Sequence, residues 1–376
     1  MKKIQMVDLV SQYEKIKPEI DLKLAEVMNS AAYINGPEVK AFQSELETYL
    51  DVKHVIPCAN GTDALQIALM ALGLKPGDEV ITSDFTFAAT VEVVKLLNLT
   101  AILVDVERDT FNISIESLEK AITPKTKAII PVHLFGQCSN MDAVMEIADK
   151  HNIFVVEDTA QAIGAKHTSK DGTTKSAGCI GNVGTTSFFP SKNLGCFGDG
   201  GAIFTNDDDL AVTLRSIVNH GMGERYYYDR VGVNSRLDSM QAAILRIKLR
   251  QLDSYIENRQ RAAKYYSDFF SQIDGVEVPA ISNYSTHVFH QYTLKINGIN
   301  QFEAQKFLNE KGIPAMIYYP MPLHTQKAYD ADKYNHDDFK ITNDLCKCVL
   351  SLPMHTELDN EQLAYITEAL EEYLTK

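Results

Sequence analysis

The stretch HVIPCANGTDALQIALMALGL, residues 54–74, joins a short apolar run to a longer helical run through a polar turn. HVIPC has the length of a strand, and the apolar residues of TDALQIALMALGL recur at helical spacing until Gly73. The stretch therefore predicts a strand, a tight turn and a helix. A strand that leads directly into a helix is the repeating unit of α/β folds with a parallel sheet.

Helical and strand patterns alternate on both sides of this unit, from about residue 40 to residue 210. EVKAFQSELETYL precedes it as an amphipathic helix, and EVITS, TAILVDV, AIIPVHL, IFVVED and AIFT follow as short apolar runs bounded by turn residues. Apolar character that continues along a run is typical of strands covered by helices on both faces. We predict a doubly wound α/β domain with a mostly parallel sheet between helices.

The pattern changes near residue 238. SMQAAILRIKLRQLDSYIENRQRAAKYYSDFF, residues 239–270, predicts one long helix. Beyond it, HVFHQYTLKI and IPAMIYY are strand candidates, and helices are predicted near residues 300–311 and 360–374. We predict a large α/β domain over residues 1–250 and a smaller C-terminal α+β domain over residues 251–376.

The composition excludes several classes of protein. A hydrophobic content of 45% and a charged content of 23% are ordinary for a soluble globular protein, and no apolar run reaches membrane-spanning length. The net charge of −14 argues against a nucleic-acid binder. The first residues lack the apolar stretch of a signal peptide, and the six cysteines lack zinc-site spacing. We expect a cytoplasmic protein with reduced thiols and no metal.

Polar motifs fall where predicted strands end, which is where ligands bind in parallel α/β sheets. Asn60, Gly61 and Thr62 would form the first turn of a helix, whose free N–H groups favour an anion such as phosphate. A simple helix cap explains the same residues equally well. The motif alone leaves both interpretations open.

Two further motifs carry an acid and an aromatic ring. IFVVED ends with Glu157 and Asp158, and Gln161 follows. A carboxylate there could hold a cationic ring nitrogen or a magnesium ion, or cap the next helix. Phe87, just past the strand EVITS, could cover a planar ligand or belong to the core.

The stretch SFFPSKNLGCFGDGG, residues 187–201, surrounds Lys192 with aromatic residues, a proline and glycines. Glycines permit tight turns and a close approach of the backbone to a ligand. A lysine in a partly desolvated pocket has a lowered pKa and becomes a nucleophile that can form a Schiff base. Taken together, a phosphate cradle, an aromatic ring, an acid at a strand end and this lysine predict a pyridoxal phosphate site.

At these residues the chain resembles the DegT/DnrJ/EryC1/StrS family of sugar aminotransferases, which have the fold-type I architecture. The similarity runs through YINGPEVKAFQSELETYL, CANGTDALQIAL, PGDEVITSDFTFAAT, AIIPVHLFGQ, VVEDTAQAIGA, SFFPSKNLGCFGDGGAIFTND, VGVNSRLDSMQAAIL, IYYPMPLHTQ and SLPMH. The resemblance implies that Lys192 is the Schiff-base lysine and that Asp158 pairs with the ring nitrogen. Gln161 would contact the phenolic oxygen and Phe87 would stack on the ring. The phosphate would be bound by the following residues: Gly61, Thr62, Ser187 and, across an obligate homodimer interface, Asn234 of the neighbour.

Within that family, CANGTDALQIAL, SFFPSKNLGCFGDGGAIFTNDD and VGVNSRLD resemble the UDP-2-acetamido-2-deoxy-3-oxo-glucuronate aminotransferases in particular. This branch implies that His220, Arg236 and Tyr319 contact the substrate. A histidine–tyrosine–proline stretch frequent there is Tyr318–Tyr319–Pro320 here, and His324 follows as a further candidate. The departure leaves open the related 3-aminotransferases of dTDP-3-keto-6-deoxyhexoses, and a non-catalytic regulator on the same fold is a third possibility.

The implied reaction moves the amino group of L-glutamate to a 3-keto nucleotide sugar, for surface-polysaccharide synthesis. A nicotinamide-dependent sugar oxidoreductase is disfavoured because no G-x-G-x-x-G follows the first predicted strand.

Overall fold

The computed structural model describes residues 2–329 and 333–375. Its strands, in chain order, are β1 (His54–Cys58), β2 (Glu79–Ser83), β3 (Thr100–Val104), β4 (Thr126–Ile130), β5 (Phe154–Asp158), β6 (Lys166–Thr168), β7 (Thr174–Ser176), β8 (Val183–Ser187), β9 (Gly201–Thr205), β10 (Met222–Glu224), β11 (Tyr227–Tyr228), β12 (Val276–Glu277), β13 (Tyr292–Ile296) and β14 (Val349–Leu352).

The α-helices of the described residues are α1 (Leu9–Ser30), α2 (Pro37–Leu50), α3 (Gly61–Ala71), α4 (Ala89–Leu96), α5 (Ile115–Ala121), α6 (Met141–His151), α7 (Asp208–Ile217), α8 (Ser239–Leu249), α9 (Leu252–Phe270), α10 (Gln301–Glu310), α11 (Lys340–Cys348) and α12 (Asn360–Leu374).

The central sheet has seven strands in the order β1-β9-β8-β5-β4-β2-β3. Only β9 runs against its neighbours β1 and β8, and the remaining pairs are parallel. The predicted mostly parallel sheet is confirmed, and each of the apolar runs that predicted it contributes a strand. The sequence did not predict β8, because VGTTS consists of small and polar residues rather than an apolar run.

Helices cover both faces of this sheet. Along β4, Ile129 packs with α5 and α6 on one face, whereas Ala128 and Ile130 pack with α3 and α4 on the other. Alternate residues of a strand point to opposite faces, so a strand covered twice must be apolar at every position. This arrangement explains why the strand sequences are continuously apolar.

The structure differs from two predictions made for the C-terminal part of the chain. The prediction of one long helix over residues 239–270 is wrong, because α8 ends at Leu249 and α9 begins at Leu252. The two helices turn apart because α8 packs against α1 and α2, whereas α9 packs against α12. IPAMIYY is not a strand, because only Met316 pairs there, in an isolated bridge to Ser351.

A three-stranded sheet, β12-β13-β14, packs with α9 to α12 around a separate apolar cluster. The division into domains at residue 250 stays a prediction. Within residues 2–329 and 333–375, no helix has both the length and the apolar character needed to cross a bilayer. All six cysteines are buried and free, in line with the predicted reduced thiols.

Candidate active site

A cavity of about 870 Å³ opens at the carboxyl ends of the parallel strands. It is bounded by the loops after β1, β2, β5 and β8, which meet at this edge of the sheet. It brings together eight predicted residues, namely Gly61, Thr62, Phe87, Asp158, Gln161, Ser187, Lys192 and Tyr319.

One end of the cavity is the start of α3. Asn60 caps this helix, and its side chain accepts a hydrogen bond of 2.8 Å from the backbone N–H of Asp63. A Cβ atom at Gly61 would lie 2.6 Å from Cβ of Ser187, so only glycine lets the end of β8 approach the helix start this closely. The first-turn N–H groups and the Ser187 hydroxyl therefore form a cradle suited to an anion.

Asp158, the last residue of β5, places a carboxylate in the cavity wall. It is 6% exposed. Its Oδ2 accepts a hydrogen bond of 2.8 Å from Thr90 Oγ1, and its Oδ1 accepts one of 3.1 Å from the backbone N–H of Ala160. These bonds fix the carboxylate and leave it facing a ligand.

Glu157, one residue earlier, points to the opposite side and is fully buried. Its carboxylate lies 2.9 Å from His133 Nε2 and accepts backbone hydrogen bonds from Gly178, Ile180 and Gly181. Burial alone would raise the pKa of Glu157, but His133 and these N–H groups outweigh it and hold the pKa below its usual value. Glu157 therefore holds the loop before β8 and is not presented to a ligand.

Lys192 lies in the loop between β8 and β9, and this loop is rigidly framed. Phe188 is buried against Phe42, with 5.4 Å between ring centroids. A Cβ atom at Gly195 would lie 2.4 Å from the Pro190 carbonyl oxygen, so the turn requires glycine. Burial lowers the pKa of Lys192 to about 8, although the charge of Asp158 opposes the change. About a tenth of this amine is thus neutral and nucleophilic at pH 7, far more than for a lysine in water.

Two side chains that line the cavity are linked to each other. Gln161 Oε1 accepts a hydrogen bond of 2.8 Å from the backbone N–H of Phe135, and its Nε2 lies 3.4 Å from the Tyr319 hydroxyl. Burial raises the pKa of Tyr319, so its hydroxyl keeps its proton. Phe87 is 60% exposed, which leaves its ring free to lie against a planar ligand.

Asn234, His220 and Arg236 do not line this cavity. They lie around the hairpin of β10 and β11, and the His220 backbone N–H donates to the Val233 carbonyl at 2.9 Å. Ser235 Oγ accepts a hydrogen bond of 3.0 Å from the Ala59 backbone N–H, which ties this segment to the end of β1. His220 and Asn234 are exposed.

The structure contradicts the predicted substrate contact of His324. This side chain is 2% exposed and does not line the cavity. Its Nδ1 lies 2.7 Å from Asp84 Oδ2, and its Nε2 lies 2.9 Å from His336 Nδ1. Both ring nitrogens are thus engaged within the protein.

Three residues of the site, namely Thr90, Phe135 and His290, were not predicted from the sequence. Thr90 stands in the quoted motif DFTFAATVEVV, but nothing in the sequence shows that its hydroxyl reaches Asp158. His290 lines the cavity, and burial, followed by the charges of Lys192 and Arg259, lowers its pKa well below the usual value. It is therefore a neutral side chain of the cavity wall.

These residues fit pyridoxal phosphate. The cradle that a Cβ at Gly61 would fill suits the phosphate, and the Asp158 carboxylate suits a cationic ring nitrogen. Lys192, with its lowered pKa, suits an aldehyde. Within the described residues, no group of histidine, cysteine, aspartate and glutamate side chains is arranged to hold a metal ion.

Comparisons with known proteins identify the family of this chain. A model described as the DegT/DnrJ/EryC1/StrS aminotransferase family matches residues 14–371. The pleiotropic regulatory protein of Geobacillus stearothermophilus is 45% identical, over 98% of each chain. The UDP-2-acetamido-2-deoxy-3-oxo-D-glucuronate aminotransferase of Pseudomonas aeruginosa is also 45% identical, over 98% of this chain and 99% of the other.

Among solved structures, DesV of S. venezuelae in complex with a ketimine intermediate matches with a TM-score of 0.95 and 36% identity, over 100% of both chains. The fold-type I architecture predicted from the sequence is thereby confirmed. The chain belongs to the DegT/DnrJ/EryC1/StrS aminotransferase family and is a pyridoxal-phosphate-dependent sugar aminotransferase.

Proposed function

We propose that this enzyme transfers the amino group of L-glutamate to the C3 keto group of UDP-2-acetamido-2-deoxy-3-oxo-glucuronate, in the cytoplasm, for surface-polysaccharide synthesis. One observation carries the amino transfer: Lys192 and Asp158 share a cavity with the anion-binding start of α3. The choice of sugar is supported by the 45% identity to the Pseudomonas aeruginosa enzyme.

The cofactor would be held at three points. The start of α3 at Gly61 and Thr62, with the Ser187 hydroxyl, would bind its phosphate. Phe87 would stack on the ring, and Gln161 would contact the phenolic oxygen. Bound pyridoxal phosphate supplies a reactive aldehyde and a cationic ring that withdraws electrons from the reacting carbon.

Asp158 and Lys192 would do the remaining chemistry. The Asp158 carboxylate would accept a hydrogen bond from the protonated ring nitrogen and keep that proton in place. Lys192 Nζ would remove the proton from the α-carbon of glutamate and, in the second half of the reaction, deliver a proton to C3 of the sugar. A lysine pKa of about 8 suits both steps, because the group can give and take a proton near neutral pH.

A homodimer would complete each site. Asn234, His220 and Arg236 lie outside their own chain's cavity, and Asn234 and His220 are exposed. We propose that Asn234 of one subunit donates its amide N–H to the cofactor phosphate of the other. His220 and Arg236 of the same subunit as that Asn234 would contact the nucleotide sugar bound in this site. Tyr319 would contact the sugar from the other subunit, which supplies Lys192.

Complementation between an inactive and an impaired subunit tests the shared site. Lys192→Ala and Asn234→Ala chains, co-expressed with different tags and purified as the heterodimer, should regain about half of the wild-type activity, because one of the two sites is intact. Asn234→Ala alone should lower turnover by about tenfold to a hundredfold through the lost charge-assisted hydrogen bond.

The control places both substitutions in one chain and pairs it with a wild-type chain. This heterodimer should be nearly inactive, because one site lacks Lys192 and the other lacks Asn234. If Asn234 served its own chain, the two heterodimers would show the reverse activities, and that result would refute the shared site.

The substrate is tested by offering glutamate with each of three acceptors and measuring 2-oxoglutarate release. The acceptors are the UDP-linked 3-oxo-uronate, the same sugar with a C6 hydroxymethyl group, and a dTDP-3-keto-6-deoxyhexose. We expect the uronate to give the highest kcat/KM. A higher value for the dTDP sugar would replace the proposal with the alternative acceptor. If no tested sugar sustained 2-oxoglutarate release beyond one equivalent per cofactor-loaded subunit, the result would favour a regulatory role such as the name of the Geobacillus stearothermophilus relative indicates.

A further inference from the structure

Buried Asp84 and His324, together with the exposed His336, form a hydrogen-bonded chain next to Leu323, which lines the cavity. We infer that this Asp84–His324–His336 chain positions the wall segment, residues 321–329, against which the nucleotide part of the acceptor binds. Each of the three is a positioning residue, because it acts through the wall segment. The inference rests on the proposed function, and it assigns to His324 a role different from the substrate contact expected from the sequence.

The hydrogen bonds of the Asp84–His324–His336 chain are short. Asp84 Oδ1 accepts a hydrogen bond of 2.6 Å from the His324 backbone N–H, and Asp84 Oδ2 lies 2.7 Å from His324 Nδ1. A carboxylate accepts hydrogen bonds, so Nδ1 carries a proton and Nε2 is left to share a proton with His336 Nδ1 at 2.9 Å. His324 therefore has one orientation in which both nitrogens are satisfied.

Asp84 joins two walls of the cavity. It directly follows β2 and lies three residues before Phe87, which lines the cavity. Its carbonyl oxygen accepts a hydrogen bond of 3.4 Å from the backbone N–H of Leu323. The wall segment contributes the following residues to the cavity lining: Met321, Leu323, Gln326, Ala328 and Tyr329.

His336 anchors the end of the Asp84–His324–His336 chain that lies away from Asp84. The His324 ring stacks on Phe339, with 4.2 Å between centroids, and the His336 carbonyl accepts a hydrogen bond of 2.8 Å from Asn343 Nδ2 on α11. Tyr334 donates to the Ala101 carbonyl of β3 at 2.9 Å. The wall segment is thus held between β2 on one side and a segment fixed to β3 and α11 on the other.

The two substrates use this wall differently. Both must place their reacting carbon at Lys192, but glutamate is small and the nucleotide sugar is several times larger. The larger molecule must extend beyond the reacting atoms into the rest of the 870 Å³ cavity, whose lining includes the wall segment. A wall segment held less firmly should therefore weaken binding of the nucleotide sugar and spare the reaction with glutamate.

The test uses the holoenzyme with His336→Ala, His324→Asn and the double variant. His336→Ala should raise KM for the nucleotide sugar about fivefold, as expected for the loss of one partly buried hydrogen bond. His324→Asn keeps a side-chain donor toward Asp84 and loses the link to His336, so it should raise KM by a similar factor. The double variant should add little, because both changes break the same link.

Three further measurements separate positioning from general damage. The glutamate half-reaction and the visible absorbance of the bound cofactor should stay within about twofold of the wild type in each variant. His336→Asn, which keeps a hydrogen-bonding atom close to the Nδ1 position, should recover much of the affinity. Asp338→Ala, an exposed neighbour on the 3-10 turn His336–Phe339, should behave as the wild type.

An unchanged KM in His336→Ala and His324→Asn would overturn the inference. So would an equal loss in the glutamate half-reaction, because that result would indicate a general structural effect. If the wild type aminated none of the nucleotide sugars, the proposed function would fail and this inference with it. The activity of the wild type therefore distinguishes the two failures.

Discussion

Replacing Lys192 with alanine should lower turnover by about 10⁴-fold or more, because the substitution removes both the nucleophile and the group that moves the proton. Lys192 lines the cavity, and its lowered pKa of about 8 makes it available in both protonation states. The stability of the fold should change little, since the framing of the loop comes from Phe188 and Gly195. Steady-state rates with glutamate and the nucleotide sugar, compared at equal cofactor loading, measure the effect.

Lys248 provides a matched control. It is 1% exposed, and burial lowers its pKa to about 8 as well, but it lies on α8 over the ring of Phe197 and does not line the cavity. Lys248→Met should keep turnover within about threefold of the wild type. Borohydride reduction of the wild type, followed by peptide mass spectrometry, should place the pyridoxyl group on residue 192. An active Lys192→Ala variant, or an adduct on Lys248, would contradict the assignment.

Local patterns in the sequence were sufficient for six of the seven strands of the central sheet and for most of the cavity. Strands covered on both faces are continuously apolar, and polar residues that follow them collect at one edge of a parallel sheet. Gly61, Asp158 and Lys192 lie at or just after the ends of three separate strands, yet all three were predicted to share a site, and they do line one cavity. The order of motifs along the chain carried that information.

Contacts between distant segments could not be predicted in this way. The bond between Thr90 and Asp158 joins residues 68 positions apart, and the bond between Asp84 and His324 joins residues 240 positions apart. His324 follows a motif associated with substrate binding, but whether its ring faces the cavity depends on a carboxylate from β2. The break between α8 and α9 is likewise set by the partners of each helix, and neither glycine nor proline marks it.

Replacing Asp158 with asparagine should lower turnover by about 10²-fold to 10⁴-fold, because a neutral amide cannot hold the proton on the ring nitrogen as a carboxylate does. Asparagine has the same size and can keep a hydrogen bond with Thr90 Oγ1, so the melting temperature should stay close to that of the wild type. Activity and thermal unfolding of the same preparation measure the two quantities.

The neighbouring carboxylate makes this experiment decisive. Glu157→Gln leaves the cavity untouched but weakens the buried hydrogen bonds that this carboxylate accepts from His133 and three backbone N–H groups, which should cost about 1.5–3 kcal/mol of unfolding free energy. The folded fraction of Glu157→Gln should keep its turnover, whereas Asp158→Asn should stay folded and lose its turnover. Two adjacent acids on one strand would thus separate stability from catalysis, because alternate residues of β5 point in opposite directions. If Asp158→Asn remained active, or if both variants lost stability equally, Asp158 would not be the partner of the ring nitrogen.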